Sequence, residues 1–113
     1  MTTIKIFKNK GEIVAFEISG HSGYAKSGHD IVCSAISSIS QSTCLGIVKV
    51  AKINATIKRD DKKGFLSLRL PKNMDQTQKN NAKLLLNTME QSLSEIAFDY
   101  NNYIQMEVKD EIY

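Results

Sequence analysis

The residues best suited to covalent chemistry are two cysteines and two histidines, which are all that the chain has of either type. Cys33 and His21 are separated by a glycine-containing segment, whereas Cys44 lies deep in an apolar run. A cysteine thiolate is a strong nucleophile, and a neighbouring imidazole can generate it at neutral pH. These residue types therefore predict nucleophilic catalysis, with Cys33 as the attacking thiol and His21 as its base.

Cys33 is predicted to lie in the first turn of a helix. Asp30 is a typical N-cap residue, and apolar side chains follow it at helical spacing to about Ala51. The unpaired N–H groups of a helix start favour an anion, so they would support the thiolate and the oxyanion formed when a carbonyl is attacked. Two roles are open for Asp30: it caps the helix only, or it caps the helix and orients His21 as well.

Residues 20–28 are predicted to form a loop that can approach a ligand closely. The segment has no hydrophobic period, and it contains Gly20, Gly23 and Gly28, which are candidates for substrate binding. We expect the part from 22 to 28 to be mobile and to close when substrate binds. Ser37, one helical turn after Cys33, would hydrogen-bond near the thiol or bond its own backbone.

Other interpretations of these residues stay open. His29 is a competing base, although a side chain beside the cap would tend to point away from the helix start. Cys44 is predicted to be a small buried side chain, about 16 Å along the helix from Cys33 and therefore too distant for a disulfide. Because the cysteines and histidines lack CxxC or HxxxH spacing, we expect no metal and no other cofactor.

The elements that must position these residues follow two periodicities. Apolar and polar residues alternate as in strands over residues 2–8, 12–19, 54–60 and 64–70, and a last strand is predicted over 103–108. A second helix should begin near Asp75, where Gln78 completes a capping box, with an apolar stripe from Leu85 to Tyr100. The order ββαββαβ predicts an α+β fold, with two helices layered on a mixed sheet in one domain over 1–113.

Composition and charge limit the remaining function classes. The net charge is +3, and the basic cluster of 58–63 is interrupted by Asp60 and Asp61, so any contact with nucleic acid is expected to be indirect. The uncharged stretch 31–48 holds seven hydroxyl or amide side chains, which favours a core helix over a membrane span. Residues 1–8 lack a signal-peptide pattern, so we expect a cytoplasmic protein.

Residues 20–37, GHSGYAKSGHDIVCSAIS, resemble the ribosomal-processing cysteine protease family Prp. The shared pattern is a glycine–histidine pair, a short glycine-containing loop, and Asp-Ile-Val-Cys followed by small residues and a serine. The chain length and the element order agree with that family as well. Ser22 and Ser34 stand where alanine is frequent, and both are small enough to leave the site undisturbed.

The resemblance implies an enzyme that removes the N-terminal extension of a large-subunit bacterial ribosomal protein through a thioester. It also implies a homodimer, with Cys33 as nucleophile, His21 as base, and Asp30 and Ser37 at the remaining polar positions. Two alternatives belong to other classes: a non-catalytic ribosome- or RNA-binding module that uses residues 58–63, and a redox sensor that reacts with peroxide at Cys33 but cleaves nothing.

Overall fold

The structure is a computed structural model that describes residues 1–20 and 27–111, with only the backbone described for 27–30. Its elements are β1 (Thr2–Asn9), β2 (Glu12–Ser19), α1 (Ser27–Leu45), β3 (Thr56–Asp60), β4 (Phe65–Arg69), α2 (Gln76–Asp99) and β5 (Ile104–Asp110). This confirms the predicted α+β class and the order ββαββαβ. The strands form one sheet in the order β3-β4-β2-β1-β5, in which β1 and β5 are parallel and the other pairs are antiparallel.

The core lies between one face of the sheet and the two helices. Its most deeply buried side chains come from three central strands, both helices and the segments that follow α1: Ile4, Ile6, Phe16, Leu68, Val32, Ile36, Ile47, Ile53, Leu86, Met89 and Leu93. Residues 31–50 are long and apolar enough to cross a bilayer by length and composition. Because their apolar stripe is buried against the sheet, they pack in the manner expected of a core helix.

The alternation over 12–19 predicts that Val14, Phe16 and Ile18 share the inward face of β2, and this prediction is wrong at the first of these positions. Phe16 and Ile18 are buried as expected, but Ile13 is buried in place of Val14. The pairing with β1 shifts register between Phe7 and Lys8. This irregularity adds a residue to β2 and so reverses the side chains that precede it.

Helix α1 begins at Ser27, one turn earlier than predicted, so Asp30 lies inside the helix and the assignment of Asp30 as N-cap is wrong. Gly28 did not exclude this turn, because a glycine costs a helix only about 1 kcal/mol relative to alanine. At its other end α1 continues into a π-helical segment, Gly46–Val50, which closes with a 2.8 Å hydrogen bond from Ala51 N–H to the Gly46 carbonyl. The predicted end near Ala51 is therefore confirmed.

Helix α2 begins as its sequence predicts. The Asp75 carboxylate accepts the Gln78 N–H at 2.8 Å, and the Gln78 side chain accepts the Asp75 N–H at 3.1 Å. This reciprocal capping box satisfies donors that would otherwise lack partners. It fixes the start of the helix beside the segment that follows β4.

Candidate active site

Cys33 lies in the second turn of α1, above the end of the sheet where β1 and β4 begin and β2 ends. Its side chain is partly buried and lines an open groove of about 230 Å³. The other walls come from the strand ends, from later turns of α1 and from the β3–β4 hairpin: Thr2, Ile18, Gly20, Ile36, Ser37, Ser40, Gln41, Arg59, Asp61, Gly64, Phe65 and Leu66. The Cys33 side chain therefore faces a concave surface that is open to solvent.

The Cys33 thiol is held from the sheet side by a hydroxyl. Thr2 Oγ1 lies 3.9 Å from Cys33 Sγ, and Thr2 is only 3% exposed. The Thr2 N–H donates to the Tyr103 carbonyl at 2.9 Å, which fixes the start of β1 against the residue that precedes β5. The hydroxyl therefore gives the sulfur a polar neighbour on the sheet side of the groove.

Gly20, which directly follows β2, has a conformation that favours glycine. Its φ is +93°, and a Cβ built on it would lie 2.6 Å from the Met1 carbonyl oxygen. Both the backbone angle and the lack of space argue against any larger residue. Glycine here lets the chain leave β2 in contact with the first residues of β1, at the rim of the Cys33 groove.

Backbone strain alone is expected to cost about 1–3 kcal/mol when a residue other than glycine adopts such a conformation. Replacing Gly20 with alanine should lower the free energy of unfolding by more than this, because the added Cβ would also collide with Met1. Gly11 offers a matched control, because its φ is +82° but no atom lies within 4 Å of a built Cβ. Thermal and urea unfolding of Gly20→Ala and Gly11→Ala would separate strain from collision. Equal losses in the two variants would contradict the close approach to Met1.

Two serines on α1 differ in what their hydroxyls do. Ser40 is buried and donates to the Ile36 carbonyl at 2.7 Å. Ser37 is exposed in the groove, and its hydroxyl makes no hydrogen bond to the described part of the chain. Among the described residues, Ser37 therefore makes neither of the two predicted hydrogen bonds, and its hydroxyl lines the groove beside Cys33.

The prediction that the start of α1 stabilises a thiolate at Cys33 is wrong. Because α1 begins at Ser27, Cys33 is its seventh residue, about 9 Å along the axis from the first. The N–H groups without helical partners, and most of the dipole effect, belong to the first turn. Any stabilisation of the thiolate and the oxyanion must come from other groups.

Several predicted site residues lie outside the described part of the chain. These are His21 and Gly23, together with the side chain of Asp30. Gly28 is described only as part of α1, so the predicted loop 22–28 is too long at its C-terminal end. Among the described residues, the structure brings Gly20, Cys33 and Ser37 to one groove.

The β3–β4 hairpin contributes groove residues that the sequence did not indicate. Arg59 and Asp61 line the groove and form an ion pair, with Nε and Oδ1 2.6 Å apart. The sequence suggested a solvated hairpin tip, and half of the Arg59 side chain is indeed exposed. The contact with the groove depends on the strand order, which no local pattern in the sequence encodes.

Comparison with known proteins identifies the family. A model of the family described as cysteine protease Prp matches residues 1–105. The chain belongs to the Prp family. Its members include the ribosomal processing cysteine protease Prp of Staphylococcus aureus (strain Mu50), which is 31% identical over 110 residues, or 96% of this chain and 100% of that protein.

Two solved structures of the essential ribosomal processing protease Prp from S. aureus share the fold. One, in complex with a substrate peptide, has a TM-score of 0.83 and 29% identity, and the other, with a covalently linked product peptide, has 0.81 and 30%. Each alignment covers 96% of this chain and 100% of the other. This chain is accordingly a cysteine protease, which confirms the class implied by the residues around Cys33.

The second cysteine of this Prp protease, Cys44, is in an environment that disfavours the reactive thiolate. Cys44 is 8% exposed, and burial raises the pKa of its thiol from 9.0 to about 11, although the positive charge of Arg59 opposes part of that shift. Near pH 8, Cys44 is therefore almost entirely the protonated thiol. The prediction that Cys44 is a small buried side chain is confirmed.

Iodoacetamide at about pH 8 should therefore alkylate Cys33 and leave Cys44 unmodified, because alkylation requires an accessible thiolate. Peptide mapping by mass spectrometry, with the two cysteine-to-alanine variants as controls, would report the two rates separately. Modification of both thiols at the same rate would contradict the difference in burial. Raising the pH toward 11 should bring in the slower reaction of Cys44.

Proposed function

We propose that this protease removes the N-terminal extension of a large-subunit ribosomal protein, with Cys33 as the nucleophile and His21 as the general base. The observation that carries the proposal is the position of Cys33, which lines an open groove while Cys44 is buried. The S. aureus relative has been solved with a covalently linked product peptide, as expected for a protease that forms a thioester.

In this mechanism, His21 accepts the proton of the Cys33 thiol as the sulfur attacks the scissile carbonyl carbon. The C–S bond forms and the carbonyl electrons move to oxygen, giving a tetrahedral intermediate. Collapse of the intermediate breaks the C–N bond, and the imidazolium returns its proton to the departing amine. Water, activated by the same imidazole, then hydrolyses the thioester and frees Cys33.

The described residues support this assignment from the substrate side. Gly20 is the immediate neighbour of His21 in sequence and lines the same groove as Cys33. The Ser37 hydroxyl lies about one helical turn from Cys33 and is available to donate to a bound peptide. A role for Asp30 in orienting His21 stays a prediction, as do the homodimer and the cytoplasmic location.

The specific substrate is supported by the relatives, which are named for ribosomal processing. The direct test is to incubate the purified protease with the ribosomal protein carrying its extension and to follow the intact mass. We expect one cut, loss of the extension, and no further cleavage of the shortened protein when it is supplied alone as a control. An uncut tailed protein, or cuts throughout the chain, would contradict the proposed substrate.

A further inference from the structure

A second pocket, of about 510 Å³, lies at the end of the sheet opposite the Cys33 groove. It is formed by the β1–β2 turn, the segment after β4 and the first turns of α2. The length of β1, about 25 Å, separates the two sites. Its lining includes the apolar side chains Ile13, Leu70, Pro71, Met74 and Ala82, and four lysines also contribute to it: Lys10, Lys72, Lys79 and Lys83.

The lining of this pocket is richer in basic than in acidic side chains. Four of the 15 basic side chains line it, together with one of the 12 acidic side chains, Glu12. The lining of the pocket therefore carries a formal excess of three positive charges. A basic concave region of this kind can steer a polyanion to a particular place.

The charges of the pocket are only partly neutralised from within. Glu12 pairs with Lys83 at 3.7 Å, and both side chains are more than half exposed, so this pair contributes little. Within the described residues, Lys10 and Lys79 are not paired with a carboxylate. Lys10 also has a φ of 52°, a conformation in which glycine or asparagine is favoured over lysine.

We propose that this pocket is a docking site for the phosphate backbone of RNA, separate from the protease groove. Lysine ammonium groups bind phosphates as point charges, and the apolar surface between them can cover ribose and base edges. The pocket is concave, whereas a lipid headgroup surface would favour a convex or flat basic face. This role goes beyond the proposed cleavage and does not require Cys33 or His21.

The test uses a fluorescein-labelled RNA hairpin and the full chain, with anisotropy measured between about 50 and 200 mM KCl. Lys10→Gln/Lys79→Gln should weaken binding and reduce the slope of log K against log salt by about 1.8, which corresponds to two lost phosphate contacts on a duplex. Lys62→Gln/Lys63→Gln removes the same formal charge from the β3–β4 hairpin and should change the slope by much less. Cleavage of a short tail peptide by the Lys10/Lys79 variant should match the unmodified protein.

Equal loss of RNA binding in the two double variants would overturn the proposal, because a diffuse charge effect would then explain it. Absence of RNA binding by the unmodified chain at the lower salt concentration would also overturn it. So would binding of a mononucleotide at the pocket that RNA does not displace. Failure of the unmodified protein to cleave the tail peptide would contradict the proposed protease function. The RNA-binding measurement would still test the pocket, because it does not depend on cleavage.

Discussion

Replacing Cys33 with alanine is expected to abolish removal of the ribosomal protein extension, with a loss in rate of at least about 10⁴-fold. Without the sulfur no thioester can form, and the remaining groups of the groove can only bind the peptide. The fold should survive, because Cys33 is partly exposed and the change deletes only the sulfur atom. We expect the free energy of unfolding to change by less than about 1 kcal/mol. Cleavage rate and melting temperature are the two measurements.

Cys44→Ala is the matched control and should give the opposite result. The buried thiol contributes to the core, so the variant should lose on the order of 1 kcal/mol of stability while it retains cleavage. Processing by Cys33→Ala at a rate close to that of the unmodified protease would disprove the assigned nucleophile. Loss of folding in that variant would show that Cys33 is structural.

Replacing His21 with alanine should lower kcat by about 10²- to 10⁴-fold, the usual contribution of a general base. In the same variant, iodoacetamide should alkylate Cys33 more slowly at neutral pH, because the imidazole of His21 is no longer present to take the thiol proton. Alkylation tests the base without requiring the correct substrate. It therefore distinguishes a lost base from a lost binding contact.

His29→Ala serves as the control for His21→Ala, since His29 is the competing base in the sequence. We expect cleavage and alkylation by His29→Ala to stay within about threefold of the unmodified protease, because only one imidazole is needed to take the proton. A larger effect at His29 than at His21 would reverse the assignment. Equal, partial effects at both would indicate that neither acts alone as the base.

Local patterns were sufficient to predict most elements of this fold. The capping box at Asp75 and Gln78 depends on side chains three residues apart, and the alternation of β1 depends on adjacent ones. Such features are specified within a single element, so one sequence contains their full signal. The same holds for Cys44, whose burial follows from the apolar run around it.

Features that depend on distant contacts could not be predicted in this way. The strand order decides that Arg59 and Asp61 reach the Cys33 groove, and that order is set by packing across the whole sheet. The shift between Phe7 and Lys8 likewise depends on two strands together, and it moved Ile13 into the core in place of Val14. The start of α1 was misplaced because the cap signal at Asp30 was stronger than that of the preceding turn.

The parallel pairing of β1 with β5 has a consequence for when the protease becomes competent during synthesis. Thr2 is paired with Ile104, and its N–H is held by Tyr103, so the sheet side of the Cys33 groove joins two ends of the chain. Contacts between residues so far apart form late, since a long loop must close first. A ribosome that has made only β1 to α2 would therefore carry a chain in which Thr2, the neighbour of Cys33, lacks its partners Tyr103 and Ile104. We expect peptide cleavage to appear only after β5 has left the exit tunnel, as a single late step of folding.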